Sequence, residues 1–167
     1  MTVVSTSADL VSVQVPIFMY APIPGGPRED FTTAVLDRFE ARLAGWRLYR
    51  VPIYATATNP AAYVQPEGGY VTRGQLHVLH PARYEQTLAM LDAAYRTADP
   101  LADHVRQSVR TGAVIGDTVA VELHAWVYVS RYRSRLAEAV VGGDWANVVA
   151  GEYTTRAGAL LPVADTP

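Results

Sequence analysis

Residues 11–26 read VSVQVPIFMYAPIPGG, and this stretch restricts the possible fold more than any other. Val11, Val13, Val15, Ile17 and Met19 alternate with Ser12, Gln14, Pro16, Phe18 and Tyr20. A period of two is the mark of a β-strand. The strand runs into Tyr20-Ala21-Pro22-Ile23-Pro24-Gly25-Gly26. Prolines and glycines crowd that segment, so the strand has to stop and turn there. A strand ending in a tight turn can present a row of backbone N–H groups, able to cradle a carboxylate or an oxyanion. An ordinary strand-to-helix connection carries the same signature, so the stretch marks a turn first and a candidate site second.

Composition narrows the chemistry such a turn could serve. A chain of 167 residues supports one domain around a single core. We place that domain at residues 11–150, with flexible tails at residues 1–10 and 151–167. Cysteine is absent, which excludes disulfides, thiolate catalysis and Cys–zinc sites. All 14 basic residues are arginine, which excludes a lysine Schiff base and a P-loop lysine. A net charge of −2 without a basic run argues against a nucleic-acid binder. The four histidines show no metal-ligand spacing, so neither a metal nor another cofactor is expected. No stretch approaches the roughly 18 apolar residues of a membrane span. Residues 1–10 also lack the pattern of a secretory signal. The expectation is a soluble, cytoplasmic monomer or homodimer whose partner is a small-molecule substrate, with no nucleic acid and no membrane.

Further along, Phe31, Val35, Phe39 and Leu43 recur every four residues, which predicts a helix over residues 27–43 closed by Gly45. Residues 46–57 read as one strand or two broken by Pro52, and Gln65-Pro66-Glu67-Gly68-Gly69 as a loop. Residues 70–79 are the next strand, with Gln75 and His77 on one side. Tyr84, Leu88, Leu91 and Tyr95 form the stripe of a second helix, residues 81–95. Asp99-Pro100 breaks the chain. Residues 104–110 read as a strand, residues 111–117 as a turn and residues 119–129 as the longest clear strand. A short helix follows at residues 136–141. The order predicts an α+β fold: a mixed sheet, partly closed into a small barrel, with two main flanking helices.

Six segments carry a more specific signal. They are Phe18-Met19-Tyr20-Ala21-Pro22-Ile23, Leu43-Ala44-Gly45-Trp46-Arg47-Leu48, Thr72-Arg73-Gly74-Gln75-Leu76-His77-Val78-Leu79, Leu91-Asp92-Ala93-Ala94-Tyr95, Ala125-Trp126-Val127-Tyr128-Val129 and Gly143-Asp144-Trp145. In this order, over about residues 15–147, they resemble the γ-glutamyl cyclotransferase superfamily, also called AIG2-like or butirosin-cyclotransferase-like. The resemblance implies that fold, and a loop after the first strand that holds the substrate's α-carboxylate and amine. It also implies a glutamate that takes the amine's proton while the amine attacks a side-chain carbonyl and a lactam closes. Two departures stand out. The glutamate that closes the family's Leu-Asp-x-x-Glu motif is Tyr95 here, and the loop glycine is Ala21, followed by Pro22, which has no N–H.

A phenol has an ordinary pKa near 10 and burial raises it, so Tyr95 suits a general acid or oxyanion donor better than a base. It equally completes the apolar stripe of its helix. Glu122 shares a strand face with His124, Trp126 and Tyr128 and could supply a replacement carboxylate if that face lines a cavity. Tyr95 and Glu122 are therefore the catalytic candidates. Tyr20, Ala21, Pro22, Ile23, Gln75, His77 and Tyr128 are the substrate-binding candidates. The expected function is an intramolecular cyclisation or related acid–base step on a small metabolite, of the kind found in secondary-metabolite biosynthesis. The alternatives are a non-catalytic small-molecule binder on the same fold and a plain interaction domain.

Overall fold

The computed structural model describes residues 14–97, 104–130 and 132–148. Both expected tails, the start of the first strand at residues 11–13 and the Asp99-Pro100 break lie outside the described residues. In chain order the elements are β1 (Ile17–Met19), α1 (Glu29–Ala34), β2 (Val35–Arg50), β3 (Ala62–Leu79), α2 (Tyr84–Ala94), β4 (His104–Ile115), β5 (Thr118–Ser130) and β6 (Glu138–Ala139). The strands form one sheet in the order β3-β1-β5-β4-β2-β6, and β2 also pairs with β3. Hydrogen bonding therefore runs round a ring without making a regular barrel. β1 pairs antiparallel with β3 and parallel with β5, where Trp126 N–H donates to the Pro16 carbonyl at 2.8 Å.

The main correction concerns residues 27–43. The helix there stops after six residues, and the chain continues as β2. A four-residue repeat fits two turns of strand alternation as well as one helical stripe, so Phe31, Val35, Phe39 and Leu43 could not decide between them. Pairing with β3 decides it, through an antiparallel ladder from Val35↔Leu79 to Arg50↔Ala62. Gly45 is consequently not a helix stop. It sits at φ +82° inside β2, where the ladder changes register between Ala44 and Trp46. The expected loop at residues 65–69 is the other half of this bulge. Gln65 and Pro66 remain paired with Arg47 and Trp46, and Glu67 accepts hydrogen bonds from Tyr49, Arg47 and Arg133 at 2.5, 2.9 and 3.0 Å. Residues 111–115 also stay in strand β4, so the turn shrinks to Gly116-Asp117. In place of a helix at residues 136–141, β6 pairs Tyr49 with Ala139.

Only one substantial helix is present among the described residues, α2, and its stripe is buried as the spacing predicts: Tyr84, Leu88, Leu91 and then Tyr95. Two apolar layers result. Inside the ring lie Phe18, Leu43, Leu48, Val64, Leu76 and Val127. Outside it, α1 and α2 cover Ile17, Leu79 and Tyr128 with Phe31, Leu88 and Leu91.

β1 is wedged so tightly against β3 that a Cβ on Gly74 would lie 2.3 Å from the Met19 carbonyl oxygen and 2.7 Å from the Phe18 ring. Gly74→Ala should therefore cost about 1–3 kcal/mol in urea denaturation. Gly68→Ala, whose new methyl group would have no atom within 4 Å, should be near neutral. Equal stability of the two variants would refute the tight packing of β1.

Candidate functional site

A polar chain seats α2 on the sheet. Asp92, in the last turn of α2, accepts from Arg106 Nε at 2.9 Å, from Arg106 Nη2 at 3.2 Å and from the Tyr128 hydroxyl at 2.7 Å. The Arg106 guanidinium lies 4.5 Å from the centre of the Trp126 ring. Trp126 Nε1 donates to the Tyr84 hydroxyl at 2.7 Å, and that hydroxyl donates to the Val15 carbonyl at 3.0 Å. Both ends of α2 are thus anchored to β4, β5 and the approach to β1. The positive charge of Arg106 is thereby matched by Asp92.

Three tyrosines are built on this anchor. The Tyr20 hydroxyl donates to the Tyr128 carbonyl at 2.7 Å. The Tyr128 ring stacks on that of Tyr95, with centroids 4.1 Å apart and planes 5° from parallel. Tyr95 also meets His104 edge-on at 5.1 Å. Burial raises all three phenols above their ordinary pKa, and the Asp92 carboxylate further holds the proton on Tyr128. All three are therefore neutral at physiological pH.

Two cavities flank this trio. The larger, about 760 Å³, is bounded by Tyr20, Ala21, Pro22 and Ile23, by Gln75 and His77 of β3, by α1 and by the β4–β5 turn. The smaller, about 360 Å³, lies between the end of α2, the residues before β3 and the ends of β4 and β5. Tyr95 and Pro24 line the smaller one. Six of the expected site residues thus meet at the larger cavity and Tyr95 stands at the other. Tyr128 lines neither and joins the two through its contacts. Glu122 is exposed on β5 opposite Gly112 and lines neither cavity.

The turn after β1 has few donors to offer. Pro22 and Pro24 have no N–H. The Gly25 N–H donates to the Thr58 carbonyl at 2.8 Å and the Gly26 N–H to the Ile23 carbonyl at 3.2 Å. Between residues 21 and 26 this leaves Ala21 and Ile23 as backbone donors for any ligand.

His77, on β3, packs against Phe31 with ring centres 5.2 Å apart, and its Nδ1 is buried without a hydrogen-bond partner. Burial first, and the Arg38 charge second, push its pKa down to about 4. No group of three or more potential metal ligands is found among the described residues, and no helix there is long and apolar enough to cross a membrane.

Sequence reading missed His104, Arg96 and Tyr63 at the smaller cavity. A signal for His104 was available. With a two-residue turn at Gly116-Asp117, hairpin register brings His104 to the far end of the strand carrying Tyr128, and the bulge between Ala113 and Val114 sets it opposite Ser130.

Known structures share this arrangement of elements. At5g39720.1 from Arabidopsis thaliana superposes with a TM-score of 0.54 over 92% of this chain and 94% of its own, at 12% identity. A γ-glutamyl cyclotransferase specific to glutathione, from yeast, superposes with a TM-score of 0.50 over 70% of this chain and 69% of its own, at 11% identity. The chain has the γ-glutamyl cyclotransferase-like fold. YkqA from Bacillus subtilis matches 78% of this chain at a TM-score of 0.49 and 15% identity, and the chain spans 39% of that protein's length. No family model matches the sequence, and no curated protein matches it.

Two predictions test the site's supports. Asp92→Asn should lower stability by about 1–3 kcal/mol, because Arg106 and Tyr128 lose a charged acceptor. Tyr128→Phe should cost about 1 kcal/mol. The two losses should be non-additive in a double-mutant cycle, and strict additivity would break the proposed link. Because His77 titrates lower in the folded chain than its ordinary 6.5, the unfolded chain binds its proton first. Its contribution to stability should therefore decline as pH falls from about 6.5 to about 4 and level off below. His77→Gln removes that component, so parallel pH profiles of variant and wild type would show that His77 is not buried as a neutral ring.

Proposed function

We propose that this chain binds a small metabolite in the cavity at the end of α2 and that Tyr95 serves there as a proton donor. The observation that carries the reading is a buried, neutral phenol in the wall of a cavity of about 360 Å³, at the position matching the glutamate of cyclotransferase motifs. That volume lies within the usual range for small-ligand sites. A phenol held protonated cannot take the proton of an attacking ammonium. It can hydrogen-bond a developing oxyanion or protonate a leaving group, then recover the proton from water. Such help is worth roughly 10²–10⁴ in rate. The reaction class is an acid-assisted step on a small substrate, and cyclisation is one member of that class. Pro24 brings the turn after β1 to this cavity, while Tyr20 supports it through Tyr128. Glu122, exposed and outside both cavities, has no part in this reading.

A second reading, a binder without catalysis, draws support from the stacking of Tyr95 on Tyr128 and its 5% exposure. The two are separated by kinetics. Incubation with γ-glutamyl dipeptides should release no 5-oxoproline, because the base is missing; release that persists in Tyr95→Phe would overturn the donor reading. On a metabolite panel, Tyr95→Phe should lower kcat about 10²–10⁴-fold with little change in KM. Binding without turnover by the wild type would favour the second reading.

A further inference from the structure

One hydroxyl and two rings narrow the class of molecule that the smaller cavity takes. Tyr20, Tyr49, Tyr63, Tyr84 and Tyr128 are buried, and each has a hydrogen-bonded hydroxyl. Tyr95 is 5% exposed, yet among the described residues nothing bonds its hydroxyl. That oxygen is not sealed off either, because among the described residues His77 Nδ1 is the one fully buried side-chain nitrogen or oxygen without a partner. The Tyr95 hydroxyl therefore opens on the cavity that its residue lines. Burial keeps it protonated, so it offers a proton to an acceptor there. A buried tyrosine usually finds its hydroxyl a partner, and here a ligand in the cavity can supply the acceptor.

The charges of the lining are already matched. Arg133 donates to Glu67 and to the Tyr49 hydroxyl, both at 3.0 Å, and Arg96 has an interaction of its own. The described lining holds no aspartate or glutamate. A charged group on a ligand would lose water there and gain no free counterion among the described residues. Tyr54 and Tyr132, at 61% and 56%, are the most exposed aromatic residues described, and both line this cavity. Single exposed aromatics are ordinary, but two at one cavity present flat apolar walls on which another ring can stack.

We infer that the smaller cavity takes an uncharged aromatic molecule that carries a carbonyl group, its ring against Tyr54 and Tyr132 and its oxygen at the Tyr95 hydroxyl. The assignment rests on this cavity being the working site described above. A carbonyl oxygen accepts the proton that Tyr95 offers, and it is also an atom on which negative charge can develop during a reaction, where a proton donor acts.

The test is an NMR titration of the whole chain with three molecules of one shape and different charge: benzamide, benzoate and benzamidine. Benzamide should bind, and benzoate and the benzamidinium cation should bind at least about tenfold more weakly. Cyclohexanecarboxamide, which lacks the flat ring, should bind about threefold to tenfold more weakly than benzamide. Tyr54→Ala and Tyr132→Ala should each weaken benzamide by a similar factor and leave the melting temperature nearly unchanged, since both side chains are exposed. Tyr95→Phe should keep benzamide affinity within about threefold, because binding exchanges a hydrogen bond to water for one to the ligand. It should not lower the melting temperature, because no described partner is lost. The resonance of an isotopically labelled benzamide carbonyl carbon should shift on binding to the wild type and not on binding to Tyr95→Phe. Failure of benzamide to bind, or equal binding of either charged molecule, would overturn the assignment. Cyclohexanecarboxamide binding as tightly as benzamide, or full affinity in both alanine variants, would overturn its aromatic half. A carbonyl shift that persists in Tyr95→Phe would overturn the placement of the oxygen. Selective benzamide binding with a turnover indifferent to Tyr95→Phe would defeat the proton-donor reading and leave this one standing. Tyr95-dependent turnover of a charged substrate without a ring would do the reverse.

Discussion

The Asp92 carboxylate is the contact on which the rest of the arrangement depends. It grips one arginine on β4 and one tyrosine on β5 from the last turn of α2, so a single side chain fixes a helix against two strands. Charge-assisted bonds of this kind are short and directional, and a half-buried pair is less screened than one on the surface. The consequence reaches beyond stability. Tyr128 cannot rotate while its hydroxyl is held, so its ring offers a fixed plane for Tyr95, and its carbonyl offers a fixed acceptor for Tyr20. The candidate proton donor is thereby positioned at second hand, through a ring that itself lines no cavity.

Burial in this place acts in one direction on any acid. It disfavours the charged form, so a carboxylate there would rise from its ordinary value towards neutrality and become a usable base. A phenol starts near 10 and rises from there, away from the working range. Replacing glutamate by tyrosine in such a pocket therefore changes the chemistry from proton acceptance to proton donation without any change in the surrounding polarity. Nothing else in the trio restores a base, since Tyr20 and Tyr128 are raised by the same burial.

What the sequence disclosed follows the range of the forces involved. The stripe of α2 was legible because Tyr84, Leu88, Leu91 and Tyr95 match a helical period and no alternation fits them. The γ-glutamyl cyclotransferase-like fold was legible because six weak segments occur in one order. The first half of β2, up to Leu43, was misread as helix because its apolar residues recur at an interval common to both structures, and only the partner strand, about thirty residues later, removes the ambiguity. The bulge at Gly45 and residues 67–70 is likewise a property of two strands, and its glycines read one strand at a time give only a helix stop and a loop. The Asp92–Arg106 pair escaped for the same reason: neither residue has a local cue pointing to the other across 14 positions. Both cavities lie where such long-range pairings meet, which is why their linings were only partly foreseen.

The turn after β1 shows how a plausible chemical motif can arise from topology. β1 has only three residues between two strands of 18 and 13. The chain must leave the sheet at Tyr20 while β3 and β5 run on, and prolines and glycines are what such an exit requires. Its glycine donors are satisfied by Thr58 and Ile23, as a turn crossing another loop demands. Little backbone capacity is left for an anion there. The neutral phenol of Tyr95 lies instead in the wall of the smaller cavity at the end of α2, where Pro24 is the one residue of this turn in the lining.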